Sequence, residues 1–153
     1  MKNLIIVYSY HHNSTEKIAN VMAEELKAEV KYPRNANIAE LEDYDLIGFG
    51  AGIDSGKHYK PMLELAESLP QSNNKKAFIF STAGVGGERK MKRDHNVLRT
   101  ILQAKGYVII GEYACRGFNT NSVLRHFGGM NKNKPDMQDL QNAKDFVAKM
   151  QRY

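Results

Sequence analysis

A run of polar side chains separates the first apolar segment of the chain from the first amphipathic one. The apolar residues LIIV end at Val7, and the stretch VYSYHHNSTEKIA then supplies hydroxyls, an amide and two adjacent imidazoles. The orphan N–H groups and the positive dipole end of a helix N-terminus attract anions. A cap needs only one such side chain, so the length of the run favours phosphate binding over capping alone. The expected donors are Ser9, Asn13, Ser14 and Thr15.

The two imidazoles of His11 and His12 raise metal binding as a second chemistry. Adjacent residues project in different directions, and no nearby Cys, Asp or Glu completes a ligand set. The other histidines, His58, His95 and His126, are scattered over other loops. We therefore expect loop histidines or donors to an anion, and no metal site.

A second polar segment, GAGIDSGKHYK (50–60), combines glycines with two aromatic rings and two lysines. Glycine admits backbone conformations that are closed to other residues and lets a ligand approach the chain closely. The rings of His58 and Tyr59 are suited to stacking on a flat ligand, and Lys57 and Lys60 add positive charge. A glycine-rich turn with an incidental aromatic residue is the simpler alternative.

A third segment, STAGVGG (81–87), supplies small residues and backbone donors, and four basic residues follow within 89–93. Cations near a helix N-terminus oppose its dipole, so helix propensity gives no reason for them. They form either a solvated face or a docking patch for an anionic partner.

In the fourth segment, 115–136, Cys115 is expected to fill apolar space, because no base and orienting carboxylate accompany it.

The whole chain has the composition of one globular domain spanning residues 1–153. Apolar residues make up 42% of the sequence and charged residues 25%. The net charge of +5 favours an anionic partner, but no reading motif accompanies it, so nucleic acid is not expected. No apolar run approaches the roughly 20 residues of a membrane helix. A single cysteine fits a reducing cytoplasm.

The elements that must position these segments alternate along the chain. Apolar runs predict strands at 4–8, 45–51, 76–81 and 107–114. A short additional strand is predicted at 29–32, before Pro33. Helical spacing predicts helices at 15–28, 60–69 and 136–151. It also predicts a helix ending near residue 105 that turns four residues inward: Val97, Leu98, Ile101 and Leu102.

Five strands alternating with helices predict an α/β domain with a mainly parallel sheet. In such open sheets, ligands bind outside the carboxyl ends of the strands, where the strand order reverses. The functional candidates are therefore the loops that follow residues 8, 51, 81 and 114.

Three of these segments resemble those of the flavodoxin family, in order and spacing over essentially the whole chain. IIVYSYHHNSTEKIA resembles the family's phosphate signature, while DYDLIGFGAGIDSGKH and FIFSTAGVGG resemble its second and third flavin-contacting segments. The resemblance implies a three-layer, doubly wound, five-stranded parallel sheet in the order 2-1-3-4-5. It also implies FMN as the cofactor and electron transfer as the chemistry, which the flavin itself supplies.

Carried over to this sequence, the resemblance assigns flavin contacts to three groups of residues. The phosphate would be surrounded by Ser9, His11, Asn13, Ser14 and Thr15. One side of the isoalloxazine ring would be lined from 52–59, by Gly52, Ile53, Gly56, Lys57, His58 and Tyr59. The other side would be lined by Thr82, Ala83, Gly84 and Gly86. No catalytic side chain is implied.

The sequence departs from the family pattern in three respects. His11 and His12 stand where a Thr-Gly pair is usual, no Trp is present to stack on the flavin, and the chain is basic where flavodoxins are typically acidic. Positive charge near the flavin stabilises its anionic reduced form. We therefore expect a less reducing flavin, with Lys57 and the 89–93 cluster contributing, and acidic redox partner proteins.

Two other functions are compatible with the sequence. One is an NAD(P)H-dependent FMN reductase or quinone-reductase-type enzyme, whose basic cluster engages dinucleotide phosphates. It ranks lower because no G-x-G-x-x-G follows a strand. The other is a binding module that keeps the fold and has lost the flavin.

Overall fold

The computed structural model describes residues 1–9, 14–84, 86–117 and 134–152. Within these residues, six strands form the sheet: β1 (Asn3–Tyr8), β2 (Glu29–Lys31), β3 (Leu46–Asp54), β4 (Lys57–His58), β5 (Lys75–Ala83) and β6 (Tyr107–Arg116). The α-helices of the described ranges are α1 (Ser14–Leu26), α2 (Lys60–Ser68), α3 (Glu88–Asp94), α4 (Asn96–Ala104) and α5 (Met137–Met150). Short 3-10 helices at Pro33–Asn35 and Ile38–Asp43 connect β2 to β3.

The sheet has the strand order β2-β1-β3-β5-β6. Every neighbouring pair in this order is parallel, whereas β4 pairs antiparallel with the end of β3. The predicted α/β class and the order 2-1-3-4-5 are therefore confirmed for the five parallel strands, and β4 is an additional strand.

Helices cover both faces of the sheet, which explains why its strands are continuously apolar. Leu4 and Ile6 of β1 pack on one face, in the cluster that contains the buried residues of α2 and α4. Ile5 and Val7 alternate with them and pack on the other face, with α1 and α5. The result is the predicted three-layer arrangement. In the described ranges, no helix has the length and apolar composition needed to cross a membrane.

Two glycines in β3 let large aromatic side chains lie flat on the sheet. A Cβ atom at Gly48 would lie 2.3 Å from Cζ of Phe78, and one at Gly50 would lie 2.2 Å from Cζ of Phe80. Both phenylalanines are completely buried. These two glycines therefore allow the aromatic side chains of β5 to pack against β3. A third glycine, Gly52, lies further along the same strand.

The helix predicted to end near residue 105 is two helices, α3 and α4, which meet at His95. Leu98 and Leu102 are buried as predicted, and Ile101 is half-buried. The prediction for Val97 is wrong, because its side chain is 37% exposed. The inward position beside Leu98 is taken instead by His95, whose side chain is completely buried.

Strand β3 continues three residues past its predicted end and turns back into β4. The turn residues Ser55 and Gly56 both have positive φ, 55° and 78°. Positive φ at both central positions is the signature of a type I′ turn, whose twist matches a two-residue hairpin. The second polar segment is thus a β-hairpin, with Ile53 opposite His58 and Asp54 opposite Lys57.

Candidate functional site

The carboxyl ends of β1, β3 and β5 meet at one edge of the sheet, where the sequence predicted a ligand site. Tyr8 at the end of β1 lies opposite Ala51 of β3, and Gly52 lies opposite Thr82 of β5. Parallel pairing therefore brings the three predicted segments together. This edge is also where the strand order reverses, since β1 lies between β2 and β3.

Ser9 of the first segment contacts α1, since its hydroxyl oxygen accepts a hydrogen bond from the backbone N–H of Glu16 at 3.4 Å. Ser14 and Thr15, the first two residues of α1, are buried. The predicted phosphate donors His11 and Asn13 lie outside the described residues. The described part of this segment thus combines a capping contact with the N-terminus of a 13-residue helix, a position that favours anions.

A buried hydrogen bond connects the first segment to the third. The hydroxyls of Thr15 and Thr82 lie 2.7 Å apart and are both buried. Gly117, near the start of the fourth segment, packs against Ser14 and Thr82: a Cβ atom there would lie 3.0 Å from Cβ of Ser14 and 3.1 Å from Cβ of Thr82. Its N–H donates to the carbonyl of Ala83 at 2.9 Å. These contacts hold three segments in register.

The hairpin β3–β4 carries Tyr59 into the same edge. Its backbone N–H donates to the carbonyl of Gly52 at 3.0 Å, and a Cβ atom at Gly52 would lie only 2.6 Å from Cε2 of Tyr59. The ring of Tyr59 contacts that of Tyr8 edge-on, with centroids 6.0 Å apart. Glycine at position 52 is therefore required for the position of the tyrosine ring.

An open cleft of about 420 Å³ lies beside this tyrosine. Six residues line it: Asp54, Lys57, His58, Tyr59, Lys60 and Leu63. Ile53 is half-buried and Gly56 is exposed at the hairpin tip. Of the six predicted contacts from 52–59, Lys57, His58 and Tyr59 thus lie at this cleft.

The predicted stacking role of His58 is wrong, because its side chain is buried, with 1% exposed. Its Nε2–H donates to the carbonyl of Phe80 at 3.0 Å. The Nδ1 atom has no hydrogen-bond partner among the described residues. Burial, reinforced by the nearby His95, lowers the pKa of His58 to about 3, so the ring is neutral at physiological pH.

Behind the site lies a hydrogen-bonded cluster that the sequence did not predict. The Nε2 atom of His95 lies 2.7 Å from the hydroxyl of Ser81, and its Nδ1 lies 2.9 Å from Oε1 of Glu112. Arg99 donates from Nε to Oε2 at 2.8 Å and from Nη2 to Oε1 at 2.7 Å of the same carboxylate. The one signal for it in the sequence is a glutamate inside the apolar strand YVIIGEYA.

This cluster has the order Ser–His–Glu of a nucleophilic triad but cannot act as one. The side chains of Ser81 and His95 are 1% and 0% exposed, so a substrate carbonyl does not reach the serine hydroxyl. Burial alone would raise the pKa of Glu112, but the hydrogen bonds from His95 and Arg99 outweigh it and lower the pKa to about 2. The carboxylate is therefore ionised, and it joins α4 to β6.

Two other predictions concern the residues around this edge. Burial raises the pKa of the Cys115 thiol to about 12, and its side chain packs on the core of the α1–α5 face, as expected of a filling residue.

In the 89–93 cluster, Lys90 pairs with Asp94 and Lys92 with Glu88. For Arg89 and Arg93, no ion pair occurs with any residue that the structure describes.

Comparisons with known proteins agree with this architecture. A family profile described as a flavodoxin domain matches residues 5–150. An uncharacterized protein of Methanocaldococcus jannaschii is 44% identical over 147 residues, which is 96% of this chain and 96% of that protein.

Solved structures extend the comparison to the fold. A flavodoxin from the domain Archaea superposes with a TM-score of 0.71 at 17% identity, over 99% of this chain and 97% of that one. Oxidised flavodoxin 2 from Bacillus cereus gives a TM-score of 0.71 at 17% identity, over 100% of both chains. With a matching family profile over nearly its full length, the chain belongs to the flavodoxin-domain family.

Proposed function

We propose that this protein binds FMN at the edge formed by the carboxyl ends of β1, β3 and β5 and transfers electrons between partner proteins. One observation carries the proposal: in a fold of the flavodoxin-domain family, the α1 N-terminus, the β3–β4 hairpin and the end of β5 lie together at this edge. The bound flavin supplies the electron-transfer chemistry, and the chain supplies its position and electrostatics.

The described residues fit such a ligand. The N–H groups at the start of α1, with Ser9 and Ser14 beside them, suit the phosphate. Tyr59 and Ile53 offer an aromatic and an apolar surface for one side of the ring, and the small residues that follow Thr82 suit the other. The Thr15–Thr82 hydrogen bond acts here as a brace between the phosphate end and the ring end of the site.

A titration of the apoprotein with FMN tests this function. We expect saturable 1:1 binding with quenching of flavin fluorescence, and at least about tenfold weaker binding of riboflavin, which lacks the phosphate that the α1 N-terminus would hold. Absence of FMN uptake would overturn the proposal and leave a fold that has lost its flavin. Anaerobic NADPH should not bleach the flavin directly, and bleaching would instead indicate an NAD(P)H-dependent reductase.

Partner choice follows from charge. The predicted ring site is bordered by Lys57 and Lys60 at the cleft and by the cations of α3, which contacts β4. Arg116 adds another, since its side chain lies 3.5 Å from the position of a Cβ at Gly86. A basic rim attracts an acidic surface and speeds its association. We therefore propose acidic redox proteins as the partners.

A further inference from the structure

The first turn of α1 carries a carboxylate close to the N–H groups proposed to hold the phosphate. Glu16 is the third residue of this helix, and its backbone N–H donates to the hydroxyl of Ser9, just after β1. An acidic side chain in a first turn is favourable for the helix dipole, but it repels an anion bound at the same terminus. The direction in which the Glu16 carboxylate points therefore matters for the ligand.

The start of α5 shows where a carboxylate in this position can bond. Asp139 is the third residue of α5, and its carboxylate accepts a hydrogen bond from the backbone N–H of Asp136 at 2.9 Å, within a capping box. The same bond by Glu16 would place a negatively charged acceptor on the N–H groups at the start of α1. A phosphate at that terminus needs those groups as its own donors.

In α1, a tyrosine binds this carboxylate. The hydroxyl of Tyr32 donates to Oε2 of Glu16 at 3.0 Å. Burial, reinforced by this bond, raises the pKa of Tyr32, so the phenol keeps its hydrogen at physiological pH. Its ring packs against the core of the α1–α5 face, and Cζ of Arg34 lies 5.7 Å from the ring centroid. These contacts hold the ring that binds the carboxylate.

The place of Tyr32 in the fold directs the carboxylate away from the ligand edge. Tyr32 directly follows β2, and β2 pairs with β1 on the side opposite β3, whereas the proposed site lies at the ends of β1, β3 and β5. Resting on the proposed FMN function, we propose that Tyr32 is a positioning residue. It holds the Glu16 carboxylate away from the α1 N-terminus and so leaves that terminus to the phosphate of FMN.

The preference for FMN over riboflavin measures this role, because riboflavin has no phosphate for the carboxylate to repel. Both dissociation constants are determined by titration of the apoprotein at low salt. We expect Tyr32→Phe to lower the preference about three- to tenfold, by weakening FMN binding while riboflavin binding changes little. At 0.5 M salt the difference should shrink, since the Debye length is then only a few ångströms.

A second substitution identifies the carboxylate as the cause. Adding Glu16→Gln to Tyr32→Phe removes the negative charge and should restore the preference of the unaltered protein. The matched control adds Glu24→Gln instead, which removes an exposed carboxylate of the same helix about 12 Å further from its N-terminus. This control should restore nothing. Circular dichroism verifies that each variant is folded.

Two results would overturn the role of Tyr32 and leave the FMN function standing. One is an unchanged preference, or equal weakening of both ligands, in folded Tyr32→Phe, because the bond would then only join α1 to the end of β2. The other is restoration by Glu24→Gln as complete as that by Glu16→Gln. Failure of the unaltered protein to bind FMN, measured first, would instead remove the proposed function and this role together.

Discussion

Glu112 is the residue on which the buried cluster depends, because two donors share its carboxylate. Replacing it with glutamine leaves Arg99 without a counter-ion and His95 without an ionised acceptor. Hydrogen bonds to charged groups contribute roughly 1.5–3 kcal/mol, so we expect Glu112→Gln to lower the free energy of unfolding by about 2 kcal/mol. Urea unfolding at pH 7 measures this difference.

The matched control for that measurement is Glu64→Gln. Glu64 pairs with Lys60 in the same charge combination, but their side chains are 65% and 85% exposed. Exposed ion pairs on helices contribute only about 0.3–0.5 kcal/mol, so this variant should unfold almost as the unaltered protein does. Equal losses in the two variants would show that the buried geometry of Glu112 has no special role.

His58 makes the stability of the fold depend on pH in the weakly acidic range. Its pKa in the folded protein is about 3, below the ordinary value of 6.5, so the unfolded chain binds a proton first as the pH falls. The stability that the neutral ring provides is complete above pH 6.5 and is lost between pH 6.5 and 3. We expect urea midpoints to fall over this window, and to fall less steeply in His58→Gln. Parallel slopes in the two proteins would contradict this assignment.

At the scale of elements, most of the sheet could be predicted because continuous apolar strands and amphipathic helices have distinct periods. The parts that could not be predicted depend on contacts distant in sequence. The ring of His95 has the local setting of a loop histidine, and only its pairing with Ser81 and Glu112 brings it into the core. Likewise, β4 has two residues and no periodicity of its own, so the turn at Ser55 and Gly56 alone could have indicated it.

The β3–β4 hairpin offers a steric test of how the site is built. Alanine at position 52 would place its Cβ 2.6 Å from the Tyr59 ring, and overpacking of this kind costs about 1–3 kcal/mol. We expect Gly52→Ala to destabilise the apoprotein by that amount and to weaken FMN binding by about tenfold or more, because the ring must move. Urea unfolding and FMN titration measure the two effects.

A double variant identifies the cause of that effect. In the background of Tyr59→Ala, the obstructing ring is absent, so adding Gly52→Ala should cost less than about 0.5 kcal/mol. A full cost in this background would mean that the backbone at position 52, rather than contact with Tyr59, requires glycine.

At the scale of the whole molecule, the net charge of +5 matters through where the cations lie. The fold places Lys57, Arg116 and α3 around one edge of the sheet, a grouping that composition alone could not show. Cations at this edge stabilise an anionic reduced flavin. We expect Lys57→Gln to lower the reduction potential of the bound flavin by on the order of 20 mV. An unchanged potential in a spectroelectrochemical titration would mean that solvent screens Lys57 completely.

The same edge should govern the rate at which a partner arrives. Reversing the charges of Arg89 and Arg93 removes two cations that have no ion pair within the described chain, and association with an acidic partner depends on such long-range attraction. We expect the double variant to reduce the second-order rate of electron transfer from an acidic ferredoxin by about tenfold at low salt, with little difference at 0.5 M salt, where the Debye length is only a few ångströms.

The control variant combines Lys149→Glu with Lys144→Glu. It changes the net charge by the same amount as the Arg89 and Arg93 variant, but it places the change on α5. Lys149 lies in the last turn of α5, and Gln151 just beyond it bonds to the carbonyl of Glu25 near the end of α1. That places Lys149 toward the end of the sheet opposite the site. If charge location governs docking, this variant should transfer electrons at close to the unaltered rate. Equal slowing in both variants would show that the partner responds only to net charge, and that the basic rim has no directing role.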